Sequence, residues 1–300
     1  MKVLITGGSG LVGTRLTHFL TNKGIEVVWL SRKSGTHNNI VSYEWDYKKG
    51  KIDTEVFKDV THIVHLAGAG VFDKSWTSNY KKEIIDSRIE TTRLLFEHIA
   101  SMKKLTAFIC SSAIGWYGNS LGNKKMIESD PPSYDFLSEV AVKWEQAADQ
   151  FQTKDIRTVK IRIGIALSEK GGALQSMLLP VKFGFGSPLA SGKQIISWIH
   201  LDDLCGIFIK ALEEDIMKGI YNAVAPEPVQ NREFMQQCAY AMGRPFFLPH
   251  VPETILNIVL GKEKSKSVTQ GINVSSEKIQ KQDYLFLYPD LNSALKNLIG

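Results

Sequence analysis

The feature that most constrains this chain is a glycine-spaced turn at its very start. Gly7-Gly8-Ser9-Gly10-Leu11-Val12-Gly13 follows the apolar run Val3-Leu4-Ile5 and leads into a helix-like stretch, Thr14 to Asn22. Glycines between a strand and a helix let the backbone approach a pyrophosphate closely, and the free N–H groups of the helix N-terminus attract its charge. The turn therefore predicts a dinucleotide site that includes Gly7, Gly10, Leu11, Val12 and Gly13. The spacing is G-x-x-G-x-x-G rather than G-x-G-x-x-G, so the expectation leans on the strand before it and the helix after it.

The end of the second strand bears on which dinucleotide. A free ribose 2′-OH is usually held by an Asp or Glu about twenty residues past the glycines. Here Val27-Val28-Trp29-Leu30 runs into Ser31-Arg32-Lys33-Ser34, with no carboxylate until Glu44. A hydroxyl beside two cations suits a 2′-phosphate, because a guanidinium pairs with phosphate oxygens in a fork and a serine donates a further hydrogen bond. The expected cofactor is NADP(H), with Ser31 and Arg32 as contacts. The plainer alternative is a solvated basic turn.

Composition bounds the rest. Three hundred residues, 43% hydrophobic and 22% charged, supply one large core or two modest ones. The net charge of +5 is spread among acids and does not indicate a nucleic-acid surface. The run Lys262-Glu263-Lys264-Ser265-Lys266 is expected to be a solvated loop. Cys110, Cys205 and Cys238 are odd in number and widely spaced, which fits neither a disulfide framework nor a metal knuckle. With no carboxylates at ligand spacing, no metal is expected. The first strand leaves no room for a leader and no apolar run reaches membrane-spanning length. The expectation is a cytoplasmic protein with a small-molecule substrate, no nucleic-acid or membrane partner, and an open oligomeric state.

Strands alternate with helices through the first half, the pattern of an α/β fold with a doubly wound parallel sheet. Tyr43 to Tyr47 is a short third strand, His62 to Leu66 the fourth, Ala107 to Cys110 the fifth and Thr158 to Ile163 the sixth. Helices are expected over about Asn79 to Ala100 and Asp135 to Phe151. Ligands in such sheets gather at the carboxyl ends of the strands, so Ser31, Ala67, Ser111 and Gly164 should converge. Glycines and prolines punctuate the chain beyond Ala166. Residues 1–166 are read as the nucleotide-binding domain and 167–300 as a smaller substrate-side lobe, with a helix near 202–213 packing back on the sheet.

Several motifs together resemble the extended short-chain dehydrogenase/reductase superfamily. They are Thr6-Gly7 to Gly13, Asp59-Val60 through His65-Leu66-Ala67-Gly68, Ser111-Ser112 through Tyr117-Gly118, and Trp198-Ile199-His200-Leu201-Asp202-Asp203-Leu204. Asp86 to Thr92, Lys143-Trp144-Glu145, Gly171-Gly172-Ala173 and Tyr288-Pro289-Asp290-Leu291 are similar to its atypical epimerase-family, nucleoside-diphosphate-sugar epimerase-like branch. The resemblance implies a Rossmann fold and NADP(H) binding, with Leu66, Ala67, Gly68, Glu83, Arg88 and Ala166 among the cofactor contacts. For Glu83 and Arg88 the alternative is an exposed ion pair of little worth.

The superfamily's chemistry uses a Tyr four residues before a Lys, and a Ser or Thr four before the Tyr of the fifth-strand motif. The Lys lowers the Tyr pKa so that the phenol can pass a proton. Four before Tyr117 stands Ala113, with Ser112 one position away; four after Tyr134 stands Ser138, and four before Lys143 stands Glu139. Tyr134 and Lys143 are nine residues apart, about two and a half helical turns. The usual pair is missing, leaving Ser112, Tyr117 and Tyr134 as candidate proton donors. Trp198, His200, Met177, Leu178, Lys182 and Phe183 are candidates for the substrate side, His65 and His200 being more readily structural than catalytic. The function expected is an NADP(H)-dependent oxidoreductase or epimerase-like enzyme on a small polar substrate, sugar nucleotides included. The alternative is a non-catalytic NADP(H)-binding protein that senses redox state.

Overall fold

The computed structural model describes residues 1–118 and 124–299. In the first half, β1 (Lys2–Thr6), α1 (Leu11–Asn22) and β2 (Glu26–Ser31) precede β3 (Gly35–His37), β4 (Ile40–Asp46), β5 (Lys51–Ile52) and β6 (His62–His65). Then come α2 (Ser78–Glu97), β7 (Ala107–Ala113), α3 (Phe136–Asp149) and β8 (Arg157–Ile163). The second half holds β9 (Ile165–Leu167), α4 (Ala173–Lys182), β10 (Ile195–Ile196), β11 (Trp198–His200), α5 (Leu201–Glu213), β12 (Gly219–Ala223) and β13 (Val229–Gln230). It ends with α6 (Asn231–Ala241), α7 (Glu253–Leu260), α8 (Lys262–Thr269), α9 (Glu277–Gln280) and α10 (Leu291–Ile299).

Among the described residues, seven strands run parallel in the order β12-β8-β7-β6-β1-β2-β4, with β3 and β5 antiparallel to β4. This is a Rossmann-type doubly wound sheet. Its order reverses between β1 and β6, where such sheets open a crevice at their carboxyl ends. Helices cover both faces, so β1 and β2 are nearly continuous apolar runs and successive side chains serve different cores. Val3, Ile5, Val64 and Ile109 join Leu16 and Leu20 of α1 and Leu204 and Phe208 of α5. Leu4, Ile63 and Phe108 join Leu94 and Leu95 of α2 and Trp144 of α3. Each such leucine contributes about 1.5–3 kcal/mol by leaving water.

The sheet does not stop at residue 166. β12 extends it beside β8, pairing Gly219 with Val159 through Ala223 with Ile163. Ile220 and Tyr221 favour a strand, whereas Gly219, Asn222 and Ala223 do not, and pairing with β8 holds all five extended. The helix expected near 202–213 is α5, which packs against α1, where Arg15 grips Asp202 with two bonds of 2.7 and 2.8 Å. The remaining lobe has its own core, including Leu174, Leu178, Val181, Trp198, Phe234 and Leu295.

Two expectations need correction. The run Lys262 to Lys266 is not a solvated loop but the body of α8, with Lys264 and Ser265 buried. Lys264 Nζ donates to the carbonyls of Phe72 (2.9 Å) and Lys74 (3.2 Å), so main-chain oxygens of the loop after β6 replace its water. Tyr134 is not helical: α3 begins at Phe136, with the Asp135 side chain capping Ser138 N–H at 3.0 Å. No helix among the described residues is long and apolar enough to cross a membrane.

Candidate functional site: a nucleotide crevice at the strand ends

The parallel register sets Thr6 of β1 between Leu30 of β2 and His65 of β6, so three strands end side by side. Gly7 leaves β1 against the main chain of Leu66 and Ala67. The turn then closes with Gly10 N–H on Gly7 O at 3.0 Å and enters α1 through Leu11, Val12 and Gly13. At Gly13 the helix crosses the turn so closely that a Cβ would lie 2.4 Å from Gly7 O. Gly10 supplies no side-chain cap, so the first-turn N–H groups of α1 keep their attraction for an anion.

At the tip of β2, Ser31 Oγ donates to Lys33 O, while Arg32 and Lys33 are exposed. The β2–β4 register sets Glu44 opposite Ser31, so a carboxylate-bearing residue is nearer in space than in sequence.

On the other side of β1 the end of β6 is built around His65. Thr6 Oγ1 accepts the N–H groups of Leu66 and Ala67, both at 3.2 Å, and meets His65 Nδ1 at 2.8 Å. Thr92 Oγ1 donates to Arg88 O, leaving its lone pair to His65 Nε2 at 3.0 Å. These partners assign the neutral Nε2–H tautomer. Burial pushes the His65 pKa down to about 3. His65 is thus a structural bracket rather than a base. Arg88 is not half of a surface ion pair with Glu83. It is buried, with Nη1 donating to Ala69 O (3.0 Å) and Ile84 O (2.9 Å), whereas Glu83 is half-buried elsewhere on α2. Ala166, in β9, lies across the crevice, where its carbonyl and Leu11 both neighbour Gly172.

Two of the three candidate proton donors are tied into a buried network beyond the end of β6. Ser112 Oγ donates to Glu145 Oε1 at 2.7 Å, and Glu145 is gripped by Arg162 through bonds of 2.8 and 3.1 Å. Tyr117 Oη accepts from Arg162 Nη1 at 3.0 Å and donates to Asn222 Oδ1 at 2.7 Å. Burial pushes the Tyr117 pKa up to about 12. Both hydroxyls are held in one buried network joining β7, α3, β8 and β12. Tyr134 precedes α3 with its ring fully exposed, outside that network.

Sequence reasoning missed Glu145 and Arg162, although Lys143-Trp144-Glu145 stood out as a motif. The two residues lie on different elements, so nothing in their spacing announced a pair. Trp198 and His200 are also structural. Trp198 Nε1 donates to Glu227 O at 3.0 Å, and His200 joins Asn297 (3.1 Å) and stacks on Tyr288. Leu178 is in the lobe core, with Met177 packed against it, whereas Lys182 and Phe183 are exposed. Among the described residues no cluster of His, Cys, Asp or Glu is arranged to hold a metal.

The sheet order and the glycine cradle together define a dinucleotide-fold protein of the Rossmann class. Residues 3–223 match the NAD dependent epimerase/dehydratase family, and residues 251–298 match a domain of unknown function. The chain belongs to that epimerase/dehydratase family. It is 34% identical to human epimerase family protein SDR39U1 over 303 residues, covering 100% of both chains. It is 35% identical to epimerase family protein YfhF of Bacillus subtilis, covering 100% of this chain and 98% of that one. The crystal structure of human SDR39U1 (isoform 2) with NADPH superposes with a TM-score of 0.88 at 33% identity, over 100% of this chain and 99% of that one.

Proposed function

We propose that this chain binds NADP(H) at the ends of β1, β2 and β6 and uses it on a small polar substrate, sugar nucleotides being among the candidates. The observation that carries the reading is the Gly13 crossing, where a Cβ would strike Gly7 O and where α1 presents an uncapped N-terminus. The NADPH in the human SDR39U1 structure supports the same cofactor. A cytoplasmic setting fits three free, buried cysteines.

The cofactor supplies hydride chemistry when bound, and the protein holds and orients it. The first-turn N–H groups of α1 take the pyrophosphate, Ser31 and Arg32 the 2′-phosphate. Leu66, Ala67 and Gly68 bring main chain close to the bound nucleotide, Ala166 borders the nicotinamide through its backbone, and Glu83 and Arg88 add polar contacts from α2. Ser112 and Tyr117, candidate proton donors, are committed to the buried network with Glu145, Arg162 and Asn222. That commitment favours a second reading: a protein that binds NADP(H) and reports redox state to a partner without turnover. Pulldowns with and without NADPH separate the two, since a sensor needs cofactor-dependent association.

The cofactor reading is tested by titrating NADPH and NADH. NADPH should bind at least about tenfold more tightly, and Arg32→Ala should remove most of that difference, as expected for loss of a charge-assisted contact. Equal affinities in the wild type would take the role from Arg32.

A further inference from the structure

Among the described residues no carboxylate pairs with the Arg88 guanidinium. The residue is 9% exposed, bonds two carbonyls, and lies with its guanidinium 4.9 Å from the Trp144 ring centroid. The ionisable groups beside it, Tyr80 and Cys110, are neutral at neutral pH, since burial raises both. Burial lowers its pKa to about 10, which leaves it charged at neutral pH. A buried cation held only by dipoles and a ring face is costly unless a ligand completes it.

Its position says which part of the cofactor it meets. A Cβ on Gly68 would lie 2.9 Å from Arg88 Cζ, so the guanidinium lies against the main chain just past β6. In the sheet, β6 and β2 flank β1 on opposite sides. A cofactor anchored by its 2′-phosphate at β2 and its pyrophosphate at the turn would continue over β6, which would bring its nicotinamide half past Gly68 and Arg88.

NADP⁺ and NADPH carry the same phosphates and differ in the ring, a pyridinium cation in one and a neutral dihydropyridine in the other. Attraction between Arg88 and the phosphates therefore cancels in the ratio of the two affinities. Repulsion of the pyridinium does not. We propose that Arg88 makes this site selective for the reduced cofactor, distinguishing NADPH from NADP⁺ by charge; the inference rests on the NADP(H) reading above. The weak screening around a buried group gives the repulsion its reach.

The test measures Kd for NADPH, NADP⁺ and 2′,5′-ADP, which keeps the 2′-phosphate but has no nicotinamide, with wild type, Arg88→Met and Arg88→Lys. Wild type should prefer NADPH by about tenfold or more, Arg88→Met should bring the two forms within about twofold, and Arg88→Lys should keep most of the gap. Retained 2′,5′-ADP binding certifies that a variant is folded. An unchanged gap in Arg88→Met overturns the proposal, as does a wild type with no gap, a result that holds even if the Met variant fails to fold. Equal weakening of both forms makes Arg88 a phosphate anchor and overturns it too. Failure of wild type to bind 2′,5′-ADP counts instead against the cofactor reading.

Discussion

Two buried arginines, one behind the sheet ends and one beside the crevice, show how this fold separates structure from ligand handling. Arg162 is fully buried and answered by an acid: Glu145 accepts from Nε and Nη2, Tyr117 Oη and the Glu128 carbonyl accept from Nη1, and the Trp116 ring centroid lies 3.8 Å from its guanidinium carbon. Arg88 has a ring and two carbonyls and no acid. A satisfied buried network rigidifies, whereas an unsatisfied one marks where something else is meant to bind. Ser112 and Tyr117, two of the three candidate proton donors, belong to the network around Arg162.

The largest effect that would break this contrast lies at Glu145. Glu145→Ala strands Arg162 without its counter-ion and should cost about 3–5 kcal/mol in denaturant unfolding. A loss under about 1 kcal/mol would show that the network is not a closed unit. The two ends of β6 carry a signature in pH. His65 and His62 are held below the ordinary value of 6.5, at about 3 and about 4, chiefly by burial. Below pH 6.5 the unfolded chain takes up protons that the folded one refuses, so stability is full above 6.5 and falls as pH drops towards 4 and 3. At pH 5 each histidine should account for a loss of about 2 kcal/mol, and replacing His65 with Gln should flatten its share of the slope. Smaller still, Tyr117→Phe should cost about 1 kcal/mol with NADPH affinity unchanged. Tyr134→Phe should stay within about 0.5 kcal/mol and leave binding untouched. A tyrosine variant that alters the nicotinamide absorbance assay while preserving stability would move that residue to the crevice.

The cradle was legible because its signal is local: strand, glycines and helix are contiguous, and each residue's task follows from its neighbours. The strand alternation and the return of residues 202–213 were readable for the same reason, as apolar runs with periodicity. The burial of Arg162 and Glu145 was not, since their pairing depends on β8 and α3 being packed together. Glu44 shows the same limit, far from Ser31 along the chain and opposite it in the sheet. The Lys264 cluster looked hydrated because charge usually is, and only the facing carbonyls of Phe72 and Lys74 reveal why it is not.

The way β12 completes the sheet also governs how the crevice can open. The chain leaves the sheet after Ile163, returns as α5 and β12, departs again after Ala223, and tucks Ile279 back into the first core before ending in α10. Halves interlaced in this manner have no common hinge, because swinging them apart would strip β12 from β8 or pull α5 off α1. Across from that interlacing, the Lys264 ammonium fastens α8 to the loop after β6, and Glu263 ties the same helix to Lys81 of α2.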